Sequence, residues 1–127
     1  MAPKVYGIGN PLIDVVISST DKDLKHLELS KGVMHLVDEN RQSEIIQYFK
    51  KSTPQYLPGG SAPNTLLACA GLGIPSLIAG KIGHDEFGNI YQEQADRYGV
   101  VSGLVRGDGP TGSSIILVTP DGERTMN

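Results

Sequence analysis

The chain has 127 residues, 39% of them apolar and 20% charged, and carries a net charge of −3 at neutral pH. That length and balance suit one domain, or part of one, with a real core rather than a disordered segment. The acidic charge gives no electrostatic reason for a nucleic acid or an anionic membrane as partner, and a single cysteine, Cys69, excludes an internal disulfide and a cysteine-based zinc site.

The opening MAPKVYGIGN has no apolar h-region and is not a signal peptide. Residues 66–80 form the longest apolar stretch, but Gly71, Gly73 and Pro75 interrupt it, so it is not a membrane span. The expectation is a soluble, cytoplasmic protein with no membrane partner.

In chain order, residues 4–8 form a short apolar strand that runs into the turn signal Gly9-Asn10-Pro11. Residues 12–17 are β-branched and apolar apart from Asp14, a second strand. Residues 21–29 are polar and suit a short helix, and 33–37 suit another strand. Asp38 opens a helix with Ile45, Ile46 and Phe49 on one face. Residues 55–57 are extended and lead into PGGSAPN, after which 62–72 are strong helix formers stopped by Gly73 and Pro75. A buried-type strand over 77–82 precedes a helix over about 85–98 with Asp85 as N-cap. Gly99 ends that helix, and a strand follows over 100–105. Residues 113–118 and those from Arg124 onward are strands joined by the turn Pro120-Asp121-Gly122.

The alternation of strand and helix in the middle argues for a parallel sheet flanked by helices, hence an α/β fold. The remaining strands require a second, smaller sheet. The expected division is an α/β core over about 1–9 and 38–105, with lid strands over about 12–18, 33–37 and 111–127.

Two glycine motifs fail. Gly7-x-Gly9 is followed by Leu12 where a dinucleotide fingerprint needs its third glycine, and strand-like residues follow instead of a helix. Gly80-Lys81 is followed by Ile82 and preceded five positions earlier by Pro75, so it is not a phosphate-binding loop of the Walker type.

PGGSAPN is more informative. Glycines at a helix mouth let a ligand approach the backbone closely. The first N–H groups of the helix can meet a ligand oxygen or be capped by Ser61. Pro63 suits a first turn, and Asn64 offers both a donor and an acceptor. Amide and backbone groups without Lys or Arg suit neutral hydroxyls better than a phosphate. A plain capped helix after a tight turn is the other reading these residues allow. Asn10 and Asp14 stand near the end of the first strand, where open α/β sheets gather ligands. An aspartate in an apolar segment must be paired or face solvent. Vicinal hydroxyls would pair it, and the wet side of an alternating strand would also satisfy it.

Taken together, GIGNPLIDVV, GGSAPNTLLACAGLG, AGKIGHDEFG and PTGSSIILVTPDGERTM make the chain similar to the N-terminal part of the ribokinase-like (PfkB) family of sugar and nucleoside kinases, nearest its adenosine kinase-like branch. The resemblance covers nearly the whole chain in order, and GGS-x-x-N followed by G-x-x-G-x-D-x-x-G is specific. It implies that Asp14 holds two sugar hydroxyls with Asn10 beside it. Gly60 and Asn64 would bind the same hydroxyl edge, and Gly59 would give access. Leu12, Met34, Leu36 and Met126 would wall the base or sugar, and Arg124, on the lid, would approach the transferring phosphoryl group.

ATP, Mg²⁺ and a monovalent cation are the implied cofactors, and a nucleoside or sugar the implied small-molecule partner. Gly80, Gly83, Asp85 and Gly88 have a blander meaning, as strand-to-helix punctuation. His84 is expected at the surface, His26 and His35 fit no metal pattern, and Cys69 is expected to be a buried packing thiol. The family's Gly-Ala-Gly-Asp motif, with its catalytic base and ATP-binding surroundings, is not found. The resemblance therefore implies an N-terminal piece that supplies the acceptor site and lid and is inactive alone. Such a piece is expected to form a homodimer through the lid or an exposed sheet edge, or to need further chain. The alternative is a non-catalytic module that keeps the substrate cleft.

Overall fold

The computed structural model describes residues 2–127, which form two compact units. The first gathers the residues up to Ile13 with Leu57–Ser113, and the second gathers Asp14–Tyr56 with Ser114–Asn127.

The first unit is built on a parallel sheet of β1 (Val5–Ile8), β4 (Ser76–Gly83) and β5 (Val101–Gly107), with β4 in the centre. Register is continuous along it: Val5 lies opposite Ser76, and Leu77 opposite Val101. Parallel neighbours need crossovers, and these are α3 (Ser61–Gly71) and α4 (Glu86–Arg97). Leu66 of α3, Tyr91 and Ala95 of α4, and Ile78 and Ile82 of β4 are buried together with Val100. Burial pushes the Tyr91 phenol up to about 12. Tyr6, Ile8, Val101 and Val105, on the two edge strands, stay exposed.

The second unit centres on a sheet of order β3-β2-β6-β7: β3 (Gln55–Gly59), β2 (Leu12–Ser18), β6 (Gly112–Val118) and β7 (Arg124–Met126). In β2 the buried residues Ile13, Val15 and Ile17 alternate with half-buried Leu12, Asp14 and Val16, the period-2 pattern of a strand with one face inward. Ile115, Ile116 and Leu117 of β6 are fully enclosed, each worth about 1.5–3 kcal/mol of burial. β6 and β7 pair antiparallel, Ile116 opposite Met126, across the turn that holds Gly122 at φ +85°. Helix α1 (Asp21–His26) starts with a capping box between Thr20 and Asp23. Helix α2 (Glu39–Tyr48) is capped by Asp38, whose carboxylate accepts from Arg41 N at 2.9 Å.

Three expectations change. Helix α2 clusters with the second unit, not with the α/β core. The reason is where it is tied: Arg41 donates to the Leu27 carbonyl, Gln42 donates to the Asn127 carbonyl at 3.2 Å, and the Tyr48 ring stacks on His26. On its apolar face Ile45 and Phe49 are buried, while Ile46 is exposed. Residues 33–37 are not a strand. Only Met34 makes an isolated bridge, to Met126, flanked by Met126 N donating to Val33 O and His35 N donating to Met126 O. Cys69 is half-buried rather than enclosed.

No helix among the described residues is long and apolar enough to cross a membrane.

Candidate functional site

In the first unit, the PGGSAPN segment makes the helix mouth. Gly60 is the N-cap of α3 at φ +97°, a conformation open mainly to glycine, and no side chain caps the helix. Ser61 is already the first helical residue, so it does not cap as the sequence suggested; its carbonyl accepts instead from Thr65 Oγ1 at 2.9 Å. A Cβ on Gly60 would overlap the carbonyl oxygen of Asn10, and Pro63 ring atoms stand 3.2 Å from that point. The absent side chain therefore lets the Asn10 backbone press against the start of α3. Gly59 is buried behind it, Pro63 is buried in the first turn, and the Asn10 and Asn64 side chains face solvent. The structure thus brings Asn10 and Gly60 together.

Beside Asn10 lies a cleft of about 320 Å³, lined by Asn10, Pro11, Leu12, Lys81, Ile82, Gly109, Pro110 and Gly112. The size is at the lower end of small-molecule sites. Of the residues expected in the acceptor site, Asn10 and Leu12 line this cleft, and Gly59, Gly60 and Asn64 do not.

The walls of the cleft explain the second glycine block. A Cβ on Gly80 would stand 2.6 Å from the Gly9 carbonyl oxygen and 2.9 Å from the Pro11 ring. A Cβ on Gly83 would stand 2.6 Å from the Gly109 carbonyl oxygen and 2.9 Å from Thr111 N. Real Cβ atoms do not approach backbone that closely, so both loops reach their places because β4 carries glycine there. Asp85 fixes the second loop. It caps α4 through Gly88 N at 2.8 Å, accepts from Thr111 N at 2.7 Å, and accepts from Thr111 Oγ1 at 2.6 Å. Thr111 Oγ1 in turn accepts from Gly83 N at 2.8 Å. Arg106 adds a tie, donating to Gly83 O at 2.8 Å and to Asn89 Oδ1 at 2.9 Å. Burial pushes the Asp85 carboxyl up, but the hydrogen bonds from Thr111 and Gly88 outweigh it and hold the group below its usual range.

Asp85 as a helix cap was legible in the sequence; Thr111 as its second partner was not. Thr111 is buried just before β6, and no local pattern marks it. His84 is exposed as expected.

In the second unit, Asp14 is half-buried on β2, and Arg124, exposed on β7, is the charge that acts on it. Partial burial raises the Asp14 pKa, and Arg124 offsets part of that rise. Met34 and Met126 adjoin through their bridge. Met34 is 72% exposed and Leu36 fully so, which leaves apolar surface on this side of the unit. The structure therefore brings Asp14 into the field of Arg124, and Met34 beside Met126. Among the described residues no three His, Cys, Asp or Glu side chains gather.

Comparison with known proteins decides the family. The model of the pfkB family carbohydrate kinases matches residues 34–127. The chain belongs to the pfkB family. An adenosine kinase of Dictyostelium discoideum is 29% identical over 127 residues, covering 97% of this chain and 37% of its own length. The crystal structure of adenosine kinase from Sinorhizobium meliloti is 32% identical with a TM-score of 0.81, covering all of this chain and 39% of that one. Anopheles gambiae adenosine kinase, solved in complex with P1,P4-di(adenosine-5) tetraphosphate, is 27% identical with a TM-score of 0.84, again over the whole chain and 39% of that one. This pfkB chain therefore spans less than half the length of these relatives, and its α/β architecture is that of ribokinase-like kinases.

Proposed function

We propose that this pfkB-family chain supplies the acceptor-binding part of an ATP-dependent kinase that phosphorylates a hydroxymethyl group, with an adenosine-like nucleoside as the preferred acceptor and a sugar as the second choice. The observation that carries the reading is the packing of the Asn10 backbone against Gly60 beside the Asn10–Leu12 cleft, because it leaves amide and backbone groups, with few charges, around a space of small-molecule size. That chemistry suits neutral hydroxyls.

In this reading Asn10, Gly60 and Asn64 bind hydroxyls, Gly59 gives close access, and Asp14 accepts from a vicinal pair. Leu12, Met34, Leu36 and Met126 are the apolar walls that a base needs more than a polyol does. The strands over about 12–18, 33–37 and 111–127 would act as the lid, whose closure excludes water that would compete as phosphoryl acceptor. Arg124 is its contact to the transferring group, and its field keeps Asp14 more ionised than burial alone would. ATP would supply the phosphoryl group and Mg²⁺ would neutralise its charge, as in phosphoryl transfer generally.

A second reading keeps the cleft of about 320 Å³ as a ligand-binding or dimerisation module without phosphoryl transfer. Calorimetric titration with adenosine, guanosine, ribose and fructose tests the acceptor class. The proposal expects adenosine to bind tightest, and equal or absent binding of all four would reject it. Phosphate transfer from ATP to the bound acceptor separates the kinase from the binding module.

A further inference from the structure

Lys81 is the one charged residue lining the Asn10–Leu12 cleft, and no carboxylate lines it. The ion pairs found among the described residues are made by Lys31 and Arg41, so none neutralises Lys81. The cleft thus carries one cationic side chain on a chain whose net charge is −3, and the carboxylates of Asp85 and Asp108 line the adjoining cavity, which shares Gly109 and Pro110 with it.

The position of the ammonium is set by a neighbour. Lys81 stands on β4 opposite Val105 of β5, and Gly83 stands opposite Gly107, two residues further along both strands. The Lys81 stem lies over Gly107: a Cβ there would overlap Cε, and Nζ is 2.7 Å from the same point. The side chain therefore runs toward the C-terminal ends of the parallel strands, the edge at which open α/β sheets bind ligands. A glycine at 107 keeps that path open.

We infer that Lys81 is an anion-binding residue of this cleft, and that its ligand is the phosphate monoester of a phosphorylated nucleoside or sugar. The organic part of the ligand rests on the acceptor reading above; the phosphate contact does not. A compact ammonium on a flexible stem binds phosphate as a point charge. The glycine-lined wall at Gly109 and Gly112 lets such a group come close to backbone.

The test is calorimetric titration of the chain with inorganic phosphate, adenosine 5′-monophosphate and adenosine, repeated for Lys81→Met, Lys81→Arg and Gly107→Ala. Lys81→Met is expected to weaken phosphate and monophosphate binding roughly three- to tenfold and adenosine binding less than twofold, the scale of a charge-assisted hydrogen bond at a partly exposed site. Lys81→Arg is expected to restore most of the loss. Gly107→Ala keeps every charge but displaces the stem, so it is expected to weaken the two phosphate ligands as Lys81→Met does. Phosphate binding that depends on Lys81 while adenosine fails to bind supports this inference and rejects the acceptor reading. Phosphate ligands that do not bind, or that bind Lys81→Met and Gly107→Ala as well as the unaltered chain, overturn it.

Discussion

In the first unit, the cleft exists because side chains are missing: Gly60, Gly80 and Gly83 let the backbone of Asn10, Gly9 and Gly109 pass where a single methyl group would collide. In the second unit, shape comes from side chains that are present. Ile115, Ile116 and Leu117 fill the sheet, and the Lys31 ammonium joins Asp21 at 2.8 Å to Asp121 at 2.6 Å. The contrast teaches that adding an atom should damage one region much as removing atoms damages the other. It also places the residues proposed to meet a ligand in different settings: backbone held rigidly in the first unit, and a partly buried carboxylate in the field of an exposed arginine in the second.

The largest effect is expected from Leu117→Ala, which empties a fully buried site on a central strand and should cost about 2–5 kcal/mol in urea unfolding. Gly83→Ala should approach it, at about 1–3 kcal/mol, although it deletes no contact, because the new Cβ meets fixed backbone. A neutral outcome for Gly83→Ala would break the contrast between the units.

Asp85→Asn comes next, at about 1–2 kcal/mol near neutral pH, since it weakens the α4 cap and the hold on Thr111. Its pH dependence has a definite sign. The folded pKa lies below the ordinary carboxylate value, so the carboxylate stabilises the fold above that value and loses its contribution as pH falls through the lower, folded pKa. The gap in melting temperature between the unaltered chain and Asp85→Asn should therefore close as the solution is acidified below about pH 4.

Lys31→Met sharpens the other side of the comparison. Both its partners are exposed, so the change should be the smallest of the series and should vanish in about 1 M salt, where charges are screened within a few ångströms. Asp121, held down to about 2 mainly by Lys31, would carry that small contribution only above the ordinary carboxylate range and lose it between 3.8 and about 2.

Much of the fold was legible because local chemistry and period agreed. The strands at β1, β4 and β5, the caps Asp38 and Asp85, and the glycine stops after α3 and α4 each combine an apolar pattern with a residue that can end an element. What was not legible depended on distant partners. Ser61 looked like a cap, but Gly60 takes that place because the Asn10 carbonyl fills the space of its side chain. Residues 33–37 looked like a strand, yet only Met34 finds a bridging partner, in Met126 at the far end of the described residues. Helix α2 has an ordinary amphipathic face, and its place follows from Leu27, His26 and Asn127, which no local pattern names. At the cleft, Asn10 was singled out by its place at the end of a strand and Leu12 by the family resemblance, whereas the places of Lys81 and Thr111 follow from strand register and a loop contact that no local pattern names.

The central claim, that Asp14 is an acceptor-binding carboxylate, is tested most directly by Asp14→Asn followed in two readouts, adenosine titration and thermal melting. Burial raises the folded pKa of Asp14 above its ordinary value, so at neutral pH the charge works against the fold, and below both pKa values that penalty disappears. The account predicts that Asp14→Asn melts no lower than the unaltered chain at pH 7 while adenosine affinity falls roughly tenfold or more. Unchanged adenosine affinity in a folded Asp14→Asn chain would contradict it.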